Sequence, residues 1–146
     1  MKKILTVNNI ARALVIVLAL IAGIIYLVTA TSGYLAGNPY DATVFVFALL
    51  AILFVVCSAL LSVKLPKIGP FLLLVSGLFL SLALVNGILD RAKFIGDSFI
   101  PMDYPAQFYS ALSGTYASLV MLGVSVIVLA ISCFIPEIRL GKDVVE

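Results

Sequence analysis

Six charged side chains, Asp41, Asp90, Arg91, Lys93, Asp97 and Asp103, are the acid and base groups of this chain that could converge on one surface. Acid–base work on a lipid headgroup would need a nucleophile or a metal motif beside them, and neither Asp97 nor Asp103 stands in one. They are therefore read as solvated caps, with Asp90 and Arg91 or Lys93 closing one end of the helices. The chain has no histidine, which removes the commonest general base, the usual haem ligand and most zinc sites together. Cys57 and Cys133 are far apart, with no Cys-x-x-Cys spacing, and are read as small apolar packing residues. No cofactor, metal or enzymatic activity is expected.

Polar residues inside apolar segments are the second class of candidates. Ser76, Asn86, Ser118 and Ser125 lie within long uncharged runs, where each either bonds a neighbouring helix or lines a solute pathway. Interhelical bonds of this kind average around 0.6 kcal/mol, so packing alone explains them. Ser81 adds to this thin supply of polar lining. No carboxylate lies in the middle of an apolar run, and the chain departs from the small multidrug resistance pattern by lacking a glutamate in its first helix.

The elements that position these residues follow from composition. Of 146 residues, 64% are hydrophobic and 11% charged, too apolar for a soluble domain of this size to bury. The charges gather into short clusters, leaving uncharged runs over 13–40, 42–63, 68–89 and 104–136. Each is long enough to cross a hydrocarbon core of about 30 Å as a helix, which needs about 20 residues. Continuous apolar runs, without alternation, select helices over a barrel. The apolar stretch 13–30 exceeds the h-region of a secretory signal, so it is read as a retained first helix.

One all-α domain over 1–146 follows, with transmembrane helices at about 10–31, 42–63, 68–89 and 110–135 in an antiparallel up-down-up-down bundle. Gly37-Asn38-Pro39 turns the chain after the first helix, with Asp41 at the N-cap position of the second. Lys64-Leu65-Pro66-Lys67 makes a tight turn before the third. Lys2, Lys3, Arg12, Lys64, Lys67, Arg139 and Lys142 fall on one side, against Arg91 and Lys93 on the other. The positive-inside rule then puts both termini in the cytoplasm, which fits a plasma membrane such as a bacterial cytoplasmic membrane.

The segment 90–109 is the long outer connection. Phe94, Phe99, Met102, Tyr104 and Phe108 recur through it, so it is read as an interfacial loop that is either an aromatic belt at headgroup depth or an outer docking segment. Small residues define the packing seams. In the first helix Arg12, Ala19, Tyr26 and Gly33 recur every seven, joined by the small Gly23 and Ala30, and the second seam reads Asp41, Val44, Ala48, Ala51, Val55, Ser58 and Ser62. In the third they are Gly69, Ser76, Ala83, Gly87 and Asp90, and in the fourth Ser110, Gly114, Ala117, Met121, Ser125 and Ser132.

In topology alone the chain resembles tetraspan families such as the claudin and MARVEL groups. The outer-loop tryptophan and paired cysteines of claudins are absent, so no residue roles carry over. The expected function is a non-enzymatic accessory, scaffold or regulatory subunit of a membrane complex. The alternative is a small oligomeric transporter or channel. The expected partners are the lipid bilayer and another membrane protein or further copies of the chain; with no basic-aromatic module, nucleic acid is not among them.

Overall fold

The computed structural model describes residues 7–62, 64, 65 and 67–134. Lys2, Lys3, Arg139 and Lys142, on which part of the charge asymmetry rests, lie outside the described residues. All regular structure among the described residues is helical: α1 Val7–Thr31, a single 3-10 turn Gly33–Leu35, α2 Thr43–Leu61, α3 Ile68–Asp97 and α4 Ala106–Phe134. All four α-helices are long and apolar enough to cross a membrane.

The buried residues of each helix recur mainly at steps of three and four. They are Val15, Ala19, Ala22, Gly23, Tyr26 and Ala30 in α1 and Val44, Ala48, Ala51, Val55 and Ser58 in α2. In α3 they are Gly69, Leu73, Ser76, Leu80, Ala83, Gly87, Arg91 and Phe94, and in α4 Phe108, Ala111, Thr115, Ser118, Leu122, Ser125, Leu129 and Ser132. A spacing of 3.5 keeps one seam facing its neighbours along the whole length, as in left-handed helix packing. α2 lies chiefly against α3 and α1 against α4, with further contacts between α3 and α4 and between α1 and α2.

The interior mixes small and hydroxyl-bearing residues with a few large ones, Tyr26, Leu80, Phe108, Leu122 and Leu129, while many large apolar side chains point outward. Val17, Ile24 and Val28 of α1, Leu53 and Leu60 of α2, Leu74, Leu78 and Leu89 of α3, and Val120, Ile127 and Ile131 of α4 are exposed. Hydrocarbon is the solvent in which such an arrangement is stable, because apolar side chains gain nothing there by hiding and close helix approach depends on small residues.

The buried serine hydroxyls are satisfied on the backbone, whereas the buried Thr115 hydroxyl has no partner. Ser58 Oγ donates to Gly69 O at 2.7 Å and Ser76 Oγ to Ala51 O at 2.9 Å, tying α2 to α3. Ser118, Ser125 and Ser132 donate to Thr115 O, Met121 O and Leu129 O of their own helix at 2.9, 2.7 and 2.7 Å. These local bonds remove the cost of an orphan hydroxyl.

Two sequence expectations are corrected. The segment 90–109 is not an interfacial loop: α3 runs on to Asp97, α4 begins at Ala106, and only 98–105 connect them. The charges at Asp90, Arg91 and Lys93 do not stop the helix, and Gly87, Arg91 and Phe94 continue the buried period. The expected stripe of α4 holds at Ser125 and Ser132, which are buried, but not at its start, where Ser110 is exposed and Ala111, Thr115 and Ser118 face inward. Residue size alone chose the neighbouring flank there.

Gly114 nevertheless has a specific reason to be glycine. A Cβ at this position would sit 2.4 Å from Thr29 Cγ2 on α1. The Thr29 side chain cannot swing away without cost, because its Oγ1 donates to Ile25 O and Tyr26 O, both at 2.9 Å. We expect Gly114→Ala to destabilise by about 1–3 kcal/mol, measured by thermal unfolding in detergent. Thr29→Ser, which deletes the clashing methyl and keeps the hydroxyl, should restore most of the loss, and Gly123→Ala, with open space around it, should be neutral or slightly stabilising.

Candidate functional site

Charged groups converge where α1, α2 and α3 meet, at the end where α2 begins. Two seams supply them. Tyr26 follows Ala19 by seven along α1, and Asp90 follows Ala83 by seven along α3, so both side chains face the same contact. Tyr26 is fully buried, and its hydroxyl donates to Asp90 Oδ2 at 2.5 Å, with Asp41 O also within reach at 3.2 Å. The Asp41 N–H donates to Asp90 Oδ1 at 3.2 Å. Arg91 Nε lies 3.5 Å from Asp90 Oδ2, and its Cζ lies 4.9 Å from the centroid of the Tyr26 ring, a cation–π distance.

The two ions are served unequally. Asp90 receives donors on both carboxylate oxygens, which is what a carboxylate withdrawn from water requires. Arg91 is only 4% exposed, and its Nε and Nη2 have no hydrogen-bond acceptor. Beside it a cavity of about 350 Å³ is lined by Tyr34, Asn38, Tyr40, Arg91, Lys93 and Asp97, among others. Asp41 braces the rim: its Oδ1 accepts from Thr43 N at 2.9 Å and Thr43 Oγ1 at 2.5 Å. Asp41, the expected N-cap, thus holds the start of α2 from one residue before the observed cap, Ala42.

An aromatic cap stands over this end. Phe94 and Phe108 are buried together with Leu35 and Ala111. Their rings are 5.0 Å apart, with Tyr34 5.1 Å from Phe108 and Tyr104 stacked on Phe108 at 4.0 Å. The Tyr104 hydroxyl donates to Asp97 O at 2.8 Å. Partial desolvation, and then the negative charge of Asp97, push this phenol above its ordinary range, so it stays a protonated donor at neutral pH.

The sequence candidates separate accordingly. Phe94 and Phe108, expected on an exposed docking segment, are 8% and 1% exposed, because the helices on which they stand pack against each other there; they build the cap. Tyr104 is half-buried in the same cap. Phe99 and Met102 are 79% and 65% exposed on the connection. Ser76, Ser118 and Ser125 are in the packed interior, and Asn86 Nδ2 approaches Thr43 Oγ1 of α2 at 3.4 Å. The three serines lie apart from the charged cluster, and Asn86 reaches its rim through Thr43, whose hydroxyl donates to Asp41.

Sequence reasoning placed Asp90 near Arg91 but missed Tyr26 as its donor and Arg91 as a buried group. The signal was present in the shared seven-residue register of Tyr26 and Asp90, and in the position of Arg91 four residues after Gly87 and three before Phe94. No known protein family, curated protein or solved structure matches the chain.

With a donor on each of its oxygens, Asp90 ties α1 and the start of α2 to α3. Removing it should leave Arg91 buried without its counter-ion. We expect Asp90→Ala to destabilise by about 3–5 kcal/mol and Tyr26→Phe, which deletes one charged hydrogen bond, by about 1.5–3 kcal/mol. Unfolding by denaturant in mixed micelles checks both values, and their order is the informative result. Asp90→Ala combined with Arg91→Met should recover part of the loss.

Proposed function

We propose that the chain is a four-span integral membrane protein, running up-down-up-down with both termini on the cytoplasmic face of a plasma membrane. In this reading it serves as a non-catalytic subunit that scaffolds or regulates a larger membrane assembly. Support for the placement comes from the outward-facing leucine, isoleucine and valine side chains and from the seven cations against two on opposite sides of the apolar runs.

The observation that carries the subunit reading is the exposed apolar tip. α2 has 19 residues, close to the about 20 that span hydrocarbon, whereas α3 has 30. Gly87 of α3 packs beside Val44 near the start of α2. The ten residues from Ile88 to Asp97 therefore rise about 15 Å beyond that level. At their end Phe99, Ile100 and Met102 are exposed, above the aromatic cap and beyond the depth at which lipid would cover them. Apolar side chains held on a firm base outside the membrane suit the outer part of another membrane protein. The buried serines act as packing groups in this reading, since each is satisfied on a backbone carbonyl.

Purification in mild detergent followed by mass spectrometry tests the proposal. An unlike membrane protein should accompany the chain in fixed ratio and be lost from Phe99→Ser/Met102→Ser. A homogeneous homo-oligomer that moves solute in liposomes would instead establish the transport reading. Sidedness is checked separately in a chain whose Cys57 and Cys133 are replaced. Single cysteines at Asn38 and Ser98 should label from outside intact cells, and those at Lys67 and Val145 only after permeabilisation.

A further inference from the structure

The cavity where α2 begins has a wall of balanced charge. Asp90 and Arg91 face it from the packed side, largely buried and 3.5 Å apart, and answer each other. Lys93 and Asp97 stand nearer solvent on the same wall, Lys93 exposed and Asp97 half-buried. They are four residues apart on α3, about 6 Å along the axis, yet neither forms an ion pair among the described residues. A lysine placed before an acid is the weaker order for pairing along a helix. One cation and one carboxylate are thus presented to the cavity separately.

The neutral groups around them are unengaged as well. The Asn38 carboxamide and the Tyr34 and Tyr40 hydroxyls hold no hydrogen bond among the described residues. The Tyr34 ring is nonetheless fixed, packed on Phe94 and Phe108. The space they enclose is about 350 Å³, at the lower end of the about 300–1,000 Å³ usual for small-molecule sites. We propose that this cavity binds a small zwitterion, with Asp97 on its ammonium and Lys93 on its oxyanion. A simple cation would meet Lys93 and a simple anion would meet Asp97, each a like charge, whereas a zwitterion meets both with opposite sign. The carboxamide and the phenols can donate to the oxyanion or accept from the ammonium. The cavity lies at the membrane boundary in the placement proposed above, so the zwitterion is either the phosphoethanolamine headgroup of a lipid or a free molecule of the same chemistry. This inference goes beyond the subunit reading and does not require it.

The test uses the full chain, delipidated in an uncharged detergent. Native mass spectrometry reads retention of phosphatidylethanolamine against phosphatidylglycerol, and calorimetry reads binding of glycerophosphoethanolamine against glycerophosphoglycerol. The ethanolamine member should be preferred in at least one pair. Preference in the lipid pair alone assigns the lipid source, and preference in the soluble pair assigns the free molecule. No preference in either overturns the proposal, whatever partner protein is found. Lys93→Gln and Asp97→Asn alter side chains outside the packed core and should keep the helicity of the parent. Each should weaken the ethanolamine ligand by about two- to fivefold, the factor of one solvent-screened charge contact. Asp97→Asn should in addition strengthen the anionic member and so erase the preference, which a merely structural role would not do. A preference unchanged in both variants would place the zwitterion elsewhere and refute the assignment.

Discussion

A carboxylate withdrawn from bulk water must be surrounded by donors, and the helices of this protein meet where Asp90 finds them. Its oxygens accept one hydrogen bond from the Tyr26 hydroxyl of α1 and one from the Asp41 N–H just before α2, while its own helix, α3, supplies the neighbouring guanidinium. Three elements are thereby fixed at one point. The fourth is brought in by rings, as Phe108 at the start of α4 packs on Phe94, three residues beyond Arg91. Below this point the seams contain alanine, glycine and serine, which allow close approach but supply little that is directional. The register of the helices is set most strongly at the charged end, where mismatched pairing would bury an unanswered charge.

Much of this was legible in the residues. Segments of 22 or more uncharged residues announce helices of membrane length, and the seams of α2 and α3 follow from small residues at steps of three and four. What was not legible is instructive. In the sequence Asp90, Arg91 and Lys93 end the uncharged run of α3, yet they do not end its helix, which continues to Asp97. These are different boundaries: hydrocarbon ends at about 30 Å, but a helix continues while its buried face still has something to pack on. Arg91 and Phe94 provide that face. In α4 the error was of another kind, since Ser110 and Gly114 form as plausible a small-residue stripe as Ala111, Thr115 and Ser118. Only the partner surfaces decide between the two flanks.

The cluster also shows why a resemblance of topology carried so little. Four spans and two connections say where chain reversals occur, whereas function depends on which side chains the reversals bring together. Here they place a committed carboxylate, an incompletely answered guanidinium and a polar cavity beneath a rigid aromatic cap, with an apolar tip above.

All of this presumes that the outward leucine faces lie in hydrocarbon and that α3 emerges near Asp90. Spin labels at positions 74, 78, 82, 85, 89 and 99 of the protein in lipid vesicles measure that directly, by relative accessibility to oxygen and to a water-soluble relaxant. Oxygen should dominate from 74 to 85, the balance should turn at 89, and 99 should be reached from water. Water-dominated relaxation at 78 and 82, or a label at 99 buried as deeply as they are, would contradict the account.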